Sequence, residues 1–118
     1  MQDKITWHRD GAFIEEEGHT TDLIGNEAIQ FLSDTRDRDK PFFLYFPLTA
    51  PHKPCLPAKR FRGKTEQGDY GDFVTQVDWV VGQIDKALKS EGITDETLLI
   101  YTSDNGSYMY RLREGETD

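Results

Sequence analysis

Two apolar runs, Phe42-Phe43-Leu44-Tyr45-Phe46 and Thr97-Leu98-Leu99-Ile100-Tyr101-Thr102, stand on either side of one long helical pattern, and that order leaves few folds open. The first run is apolar throughout and bounded by Pro41 and Pro47, as expected of a strand covered on both faces. Between the runs, Phe73, Val77, Val80, Val81, Ile84 and Leu88 fall on one stripe of a helix. Strand, loop, helix, strand is the order of a right-handed crossover, so the two runs are expected to lie parallel in one sheet. Open parallel sheets carry their functional groups beyond the carboxyl ends of the strands. Ala50-Pro51-His52-Lys53-Pro54 follows the first run, and Ser103-Asp104-Asn105-Gly106 follows the second. His52 and the pair Asp104-Asn105 are about fifty residues apart in sequence, yet both are expected at the same sheet edge.

The flanking segments read more locally. Ile5-Thr6-Trp7 and Ala12-Phe13-Ile14 surround Asp10-Gly11, a dipeptide suited to a tight turn, which predicts a short N-terminal β-hairpin. Ile24, Ala28, Phe31 and Leu32 then fall at helical spacing, with Thr20 or Thr21 and Asp22 at the helix start and an end near residues 33–35. Residues 34–40 read as a solvated charged connector. Residues 50–68 form a loop long for a compact domain, and such loops are functional or disordered as a rule. For the main helix, Asp69 or Asp72 can cap the start, Lys86 and Lys89 suit the negative end, and Gly92 can take the left-handed stop. Gly82 within it suggests close packing. The tail, residues 107–118, has no periodicity and reads as frayed or truncated.

At 118 residues the chain is one domain at most, with a modest core. Its formal net charge of -8 argues against nucleic acid as the main partner. Residues 51–64 run against that balance, holding Lys53, Lys59, Arg60, Arg62 and Lys64 and no acid. Such a loop can attract an anion, although a plain solvated loop explains the charges as well. No stretch is long and apolar enough to span a membrane, and no signal peptide is visible. A lone cysteine, Cys55, leaves the compartment open.

Asp104 and Asn105 offer a carboxylate and an amide oxygen side by side, the hard ligands that Ca²⁺ or Mg²⁺ prefers. Asp-Asn-Gly is equally an ordinary turn, and two ligands fall short of the six to eight or so that Ca²⁺ takes. His52, held between Pro51 and Lys53-Pro54, sits on an extended backbone. It can donate to an anion or pass a proton near neutral pH, or be simply solvated. His8 and His19 have no comparable setting and are assigned no role. Tyr70, Asp72 and Asp78 are accounted for as caps and surface charge.

Taken in order, Pro41 to Phe46, Ala50-Pro51-His52-Lys53-Pro54, Tyr70-Gly71-Asp72 leading to Val77-Asp78 and Val81-Gly82, and Thr102-Ser103-Asp104-Asn105-Gly106 resemble the middle of the formylglycine-dependent sulfatases. Trp7, Asp10-Gly11 and Thr20-Thr21-Asp22 resemble the segment preceding these motifs, so the likeness covers about residues 5–107. The resemblance implies an α/β fold, a partial parallel-sheet sandwich of the alkaline-phosphatase-like type, with residues 1–118 a single partial domain. It implies that His52 contacts the sulfate group and that Asp104 and Asn105 are ligands of a divalent metal, most often calcium. Lys53 beside His52 is a further candidate for substrate binding. The substrate implied is a sulfated small molecule or glycan, and a periplasmic or secreted parent fits the family.

The family's nucleophile, a formylglycine made from cysteine or serine, is not expected in this chain. Cys55-Leu56-Pro57-Ala58-Lys59 mimics the Cys-x-Pro-x-Arg signature but ends in lysine and follows His52 instead of lying far ahead of it. Cys55 therefore reads as a small packing residue. The chain is expected to be an internal piece of a sulfatase, inactive alone, and to pair its exposed edges with a second copy. A phosphoester or phosphonate hydrolase of the same superfamily, and a non-catalytic anion-binding module at residues 51–64, stand as the alternatives.

Overall fold

The computed structural model describes residues 6–106, so the expectation for the tail falls outside it. The chain opens with an antiparallel hairpin, β1 (Thr6–Arg9) and β2 (Ala12–Glu15), in which Trp7 faces Ile14 and Arg9 faces Ala12. Asp10 and Gly11 turn it with φ of 52° and 79°, the pair of positive angles that a two-residue turn needs to match strand twist. Arg9 reaches from the hairpin to Glu16, at 3.0 Å, and to Glu27 on the first helix.

That helix, α1 (Thr20–Gln30), continues into a π-helical turn, Phe31–Thr35. The wider turn is closed by the Arg36 N–H donating to the Phe31 carbonyl at 3.0 Å, and it leaves Leu32 1 % exposed. The connector beyond is not merely solvated. Arg36 and Arg38 both meet Glu91 at the far end of the second helix, Arg36 at 3.5 Å, because the chain must cross that end to continue.

The second helix, α2 (Gly68–Ser90), is the spine of the molecule. Phe73, Val77, Val80, Ile84 and Leu88 are buried, as the periodicity predicts, and Gly92 ends the run at φ 68°. Two apolar clusters hang on it. Ile84 and Leu88 pack with Ala28 and Leu32, and Phe73 and Val77 pack with Ala50 and Cys55. The close approach of helices falls at Gly25, where an added Cβ would stand 3.0 Å from Val80 Cγ1. Gly82, expected to pack tightly, has nothing within 4 Å of such an atom, because it lies off the face that meets α1.

The fold is α/β, with a two-stranded antiparallel sheet and two helices among the described residues. The two apolar runs are extended but join no strand there, so the expected parallel pairing is not formed within residues 6–106. The first run nevertheless behaves as a strand does. Phe42, Leu44 and Phe46 pack on the helical cluster, whereas Phe43 and Tyr45 are 89 % and 77 % exposed. In the second run Leu98, Ile100 and Tyr101 are bare. No helix of the described residues is long and apolar enough to cross a membrane.

Candidate anion-binding loop and metal ligands

Residues 50–68 are long for a loop but firmly held. Ala50 and Cys55 are buried on Phe73 and Val77, so the four residues between them, Pro51 to Pro54, are presented as a short bridge over α2. His52 is exposed on this bridge. Its backbone N–H donates to the Thr49 carbonyl at 3.1 Å, and its ring Nδ1 lies 2.6 Å from the Lys53 carbonyl. A carbonyl only accepts, so Nδ1 carries the hydrogen and Nε2 is left to meet an outside partner.

Past the bridge, four side chains fasten the loop. His19 Nε2 stands 2.7 Å from the Leu56 carbonyl. Gln76, fully buried on α2, accepts the Ala58 N–H at 2.8 Å and donates to Asp22 at 3.0 Å. Arg60 makes a bidentate pair with Asp22, at 2.6 and 2.7 Å, while its guanidinium lies against Phe61 and Trp79. Asp72 accepts the consecutive backbone N–H groups of Gly63, Lys64 and Thr65 at 2.5, 3.0 and 2.8 Å.

These contacts revise several sequence readings. His19, given no role, is the N-cap of α1 in place of Thr20 or Thr21, its Nδ1 accepting the Thr21 N–H at 3.2 Å. Asp72 does not cap its own helix. Gln67 holds the N-cap position, without a side-chain bond, and Asp72, buried one turn inside, ties down the preceding loop. Gln76 was legible as a polar residue set among Phe73, Val77 and Val80 on the apolar stripe, a position that demands buried partners.

The electrostatics follow the same bonds. Burial pushes the Asp22 carboxyl up, but Arg60 and Gln76 outweigh it and hold the group below its ordinary value. Burial likewise raises Asp72, and its backbone donors, Gly63 first, overcome that and hold it low. Arg60 is raised by Asp22. Arg60 and Arg62 of the loop bond within the protein, Arg62 Nε donating to the Pro57 carbonyl at 3.2 Å. Lys53, Lys59 and Lys64 are exposed.

Asp104 and Asn105 lie on an exposed bend after the second run. The Ser103 hydroxyl donates to the Asn105 carbonyl at 2.7 Å, and Asn105 Nδ2 donates to the Gly106 carbonyl at 3.0 Å, which leaves the amide oxygen outward. The donors suit a hard cation in kind but not in number, for no group of three or more His, Cys, Asp or Glu is gathered to hold a metal among the described residues. Nor does any hydrogen bond join His52 to Asp104 or Asn105 there.

The family model described as Sulfatase matches residues 1–118. N-acetylgalactosamine-6-sulfatase of Mus musculus is 37 % identical over 111 residues, covering 87 % of this chain and 21 % of its own length. N-acetylgalactosamine-6-O-sulfatase of Bacteroides thetaiotaomicron is 38 % identical over 104 residues, covering 87 % and 20 %. Arylsulfatase H of Homo sapiens is 37 % identical over 94 residues, covering 80 % and 16 %. The chain thus spans about a fifth of the length of the curated relatives it matches. No solved structure matches it.

Proposed function

Since the chain belongs to the sulfatase family, we propose that it supplies part of a centre that hydrolyses sulfate esters, with His52, Asp104 and Asn105 as its contributing side chains. The observation that carries this reading is the family match over residues 1–118, which includes the segments that hold these three residues. In the alkaline-phosphatase-like domain, residues 42–46 and 97–102 are parallel strands of one sheet. Their carboxyl ends then bring His52 and Asp104 to one edge, and residues 1–118 are part of one domain. The one-sided packing of Phe42, Leu44 and Phe46 supports that role.

His52 contacts the sulfate group through Nε2, since Nδ1 is engaged by the Lys53 carbonyl. When charged it donates to a sulfate oxygen, and the adjacent Lys53 adds positive charge beside the ester. Asp104 and the Asn105 amide oxygen hold a divalent cation, calcium by the family's habit. When bound, the cation polarises a sulfate oxygen and stabilises the charge that grows during attack at sulfur. Cys55 does not serve as nucleophile, a reading supported by its burial against Phe73 and Val77. The 118 residues alone do not turn over sulfate esters. Relatives named for 6-sulfated N-acetylgalactosamine make a sulfated amino sugar of a glycan the substrate class to assay first.

In the matured, metal-loaded full-length sulfatase, His52→Ala and Asp104→Ala each lower kcat/KM for a sulfate ester by roughly a hundredfold or more. Ordinary activity in either variant would sink the assignment. A phosphate monoester, assayed alongside, tests for a phosphoester hydrolase. Retained, salt-sensitive binding of sulfated glycans by an Asp104→Ala, Asn105→Ala chain would favour a non-catalytic module, a reading weakened by the internal bonds of Arg60 and Arg62.

A further inference from the structure

The loop that presents His52 is joined to both helices by a polar relay whose proton positions are fixed from end to end. The Ala58 N–H can only donate, so Gln76 must turn Oε1 toward it, at 2.8 Å. Gln76 Nε2 then faces Asp22 Oδ1 at 3.0 Å and His19 Nδ1 at 3.2 Å. His19 Nδ1 also receives the Thr21 N–H, so it bears no hydrogen. The hydrogen of the neutral ring therefore sits on Nε2, where it is donated to the Leu56 carbonyl at 2.7 Å. The side chains of His19, Gln76 and Asp22 are all partnered within the relay, and Gln76 is 0 % exposed.

We propose that His19 and Gln76 are positioning residues for His52. Their bonds fix Leu56 and Ala58, the first anchors after the bridge of residues 51–54, and so set the path from which His52 projects. Cys55, between bridge and anchors, is buried against Phe73 and donates from Sγ to the Pro51 carbonyl at 3.8 Å, so movement at Leu56 passes directly into the bridge. Phe73 in turn meets the His19 ring edge-on at 5.8 Å. The proposal rests on the reading of His52 as a sulfate contact only for its catalytic consequence. The placement itself is a property of this chain.

Two variants separate positioning from mere stability. His19→Asn keeps an N-cap acceptor for Thr21 but is too short to reach Leu56. Gln76→Glu keeps the acceptor for Ala58 but puts an oxygen where Nε2 donated to Asp22 and His19, so that only the Ala58 bond of the relay survives. Nitrogen-detected NMR of the 118-residue chain should show the His19 ring hydrogen on Nε2, bonded to the Leu56 carbonyl, and the ring signals of His52 should move in Gln76→Glu. In His19→Asn the ring signals of His52 should move and the Ala58 amide should exchange at least tenfold faster, with α1 amides unchanged. In the full-length sulfatase, kcat should fall tenfold to a hundredfold in His19→Asn with KM changed far less. Unmoved His52 signals in His19→Asn, or a His19 ring hydrogen found on Nδ1 in the parent chain, would overturn the proposal. Moved signals with unchanged kcat would show that His52 is placed by the relay yet is not the sulfate contact.

Discussion

Gly25 and Val80 mark the point where the two helices come closest, with Val80 Cγ1 3.0 Å from where a glycine Cβ would be. Val80 is 1 % exposed and cannot retreat into solvent. Gly25→Leu is expected to cost about 1–3 kcal/mol by overpacking, read as a lower urea midpoint at unchanged slope. Gly82→Leu, with open space around it, should cost less than Gly25→Leu. Equal losses at the two glycines would place the crossing elsewhere.

Gln76→Leu fills similar volume and removes the relay. It strands the Ala58 N–H in the interior and takes a donor from Asp22, and it should destabilise the chain by about 1–3 kcal/mol. Equilibrium unfolding measures this directly, and a neutral result would mean that water or another side chain satisfies Ala58.

Acid should unfold the chain through Asp22 and Asp72. Both carboxyls are held below the ordinary 3.8 in the folded state, so between the folded and unfolded values the unfolded chain binds more protons. Their contribution is complete above about pH 4 and fades as pH falls through the lower, folded values. Thermal melts from pH 6 to pH 2 should show this decline, with a shallower slope in Asp72→Asn, which lacks the titrating group. Parallel curves for the two proteins would remove Asp72 from the account.

Metal dependence should reside in Asp104 and Asn105. In the full-length sulfatase a chelator should abolish activity, and added Ca²⁺ should restore it. Asn105→Ala should raise the Ca²⁺ needed for half-activity by roughly tenfold or more. Recovery in Asn105→Ala at the wild-type Ca²⁺ concentration would discard that ligand.

The bare side of the first run, Phe43 and Tyr45, and the bare residues 98–101 of the second should draw copies of the chain together. Light scattering across a concentration series is expected to show dimers, since Leu98 is 85 % exposed in an unpaired extended segment. A monomer at every concentration would refute edge pairing.

Local chemistry was the legible part of this molecule. Asp10-Gly11 announces its own turn, and the stripe from Phe73 to Leu88 announces which face of α2 is buried, because both depend on residues a few positions apart. Strand pairing depends on partners far away, and residues 42–46 have the alternation of a strand without a neighbouring strand among the described residues. His52 and Asp104-Asn105 stood out because prolines and a turn dipeptide frame them. His19 did not, since its task depends on a carbonyl thirty-seven residues later, at Leu56, and no spacing encodes that contact. The choice between Gly25 and Gly82 likewise depends on which face of each helix meets the other.

The flanks of the two bare runs have a consequence for the life of the newly made chain. Arg38, Asp39, Lys40 and Pro41 precede the first run and Pro47 closes it, while Asp95 and Glu96 precede the second and Asp104 follows it. Charges and prolines in these places are gatekeepers: a ribbon growing by repeated stacking would crowd like charges into register and meet residues that cannot continue the ladder. The aromatic and aliphatic surface that a sheet needs can thus wait, uncovered, for its proper neighbours without seeding fibres.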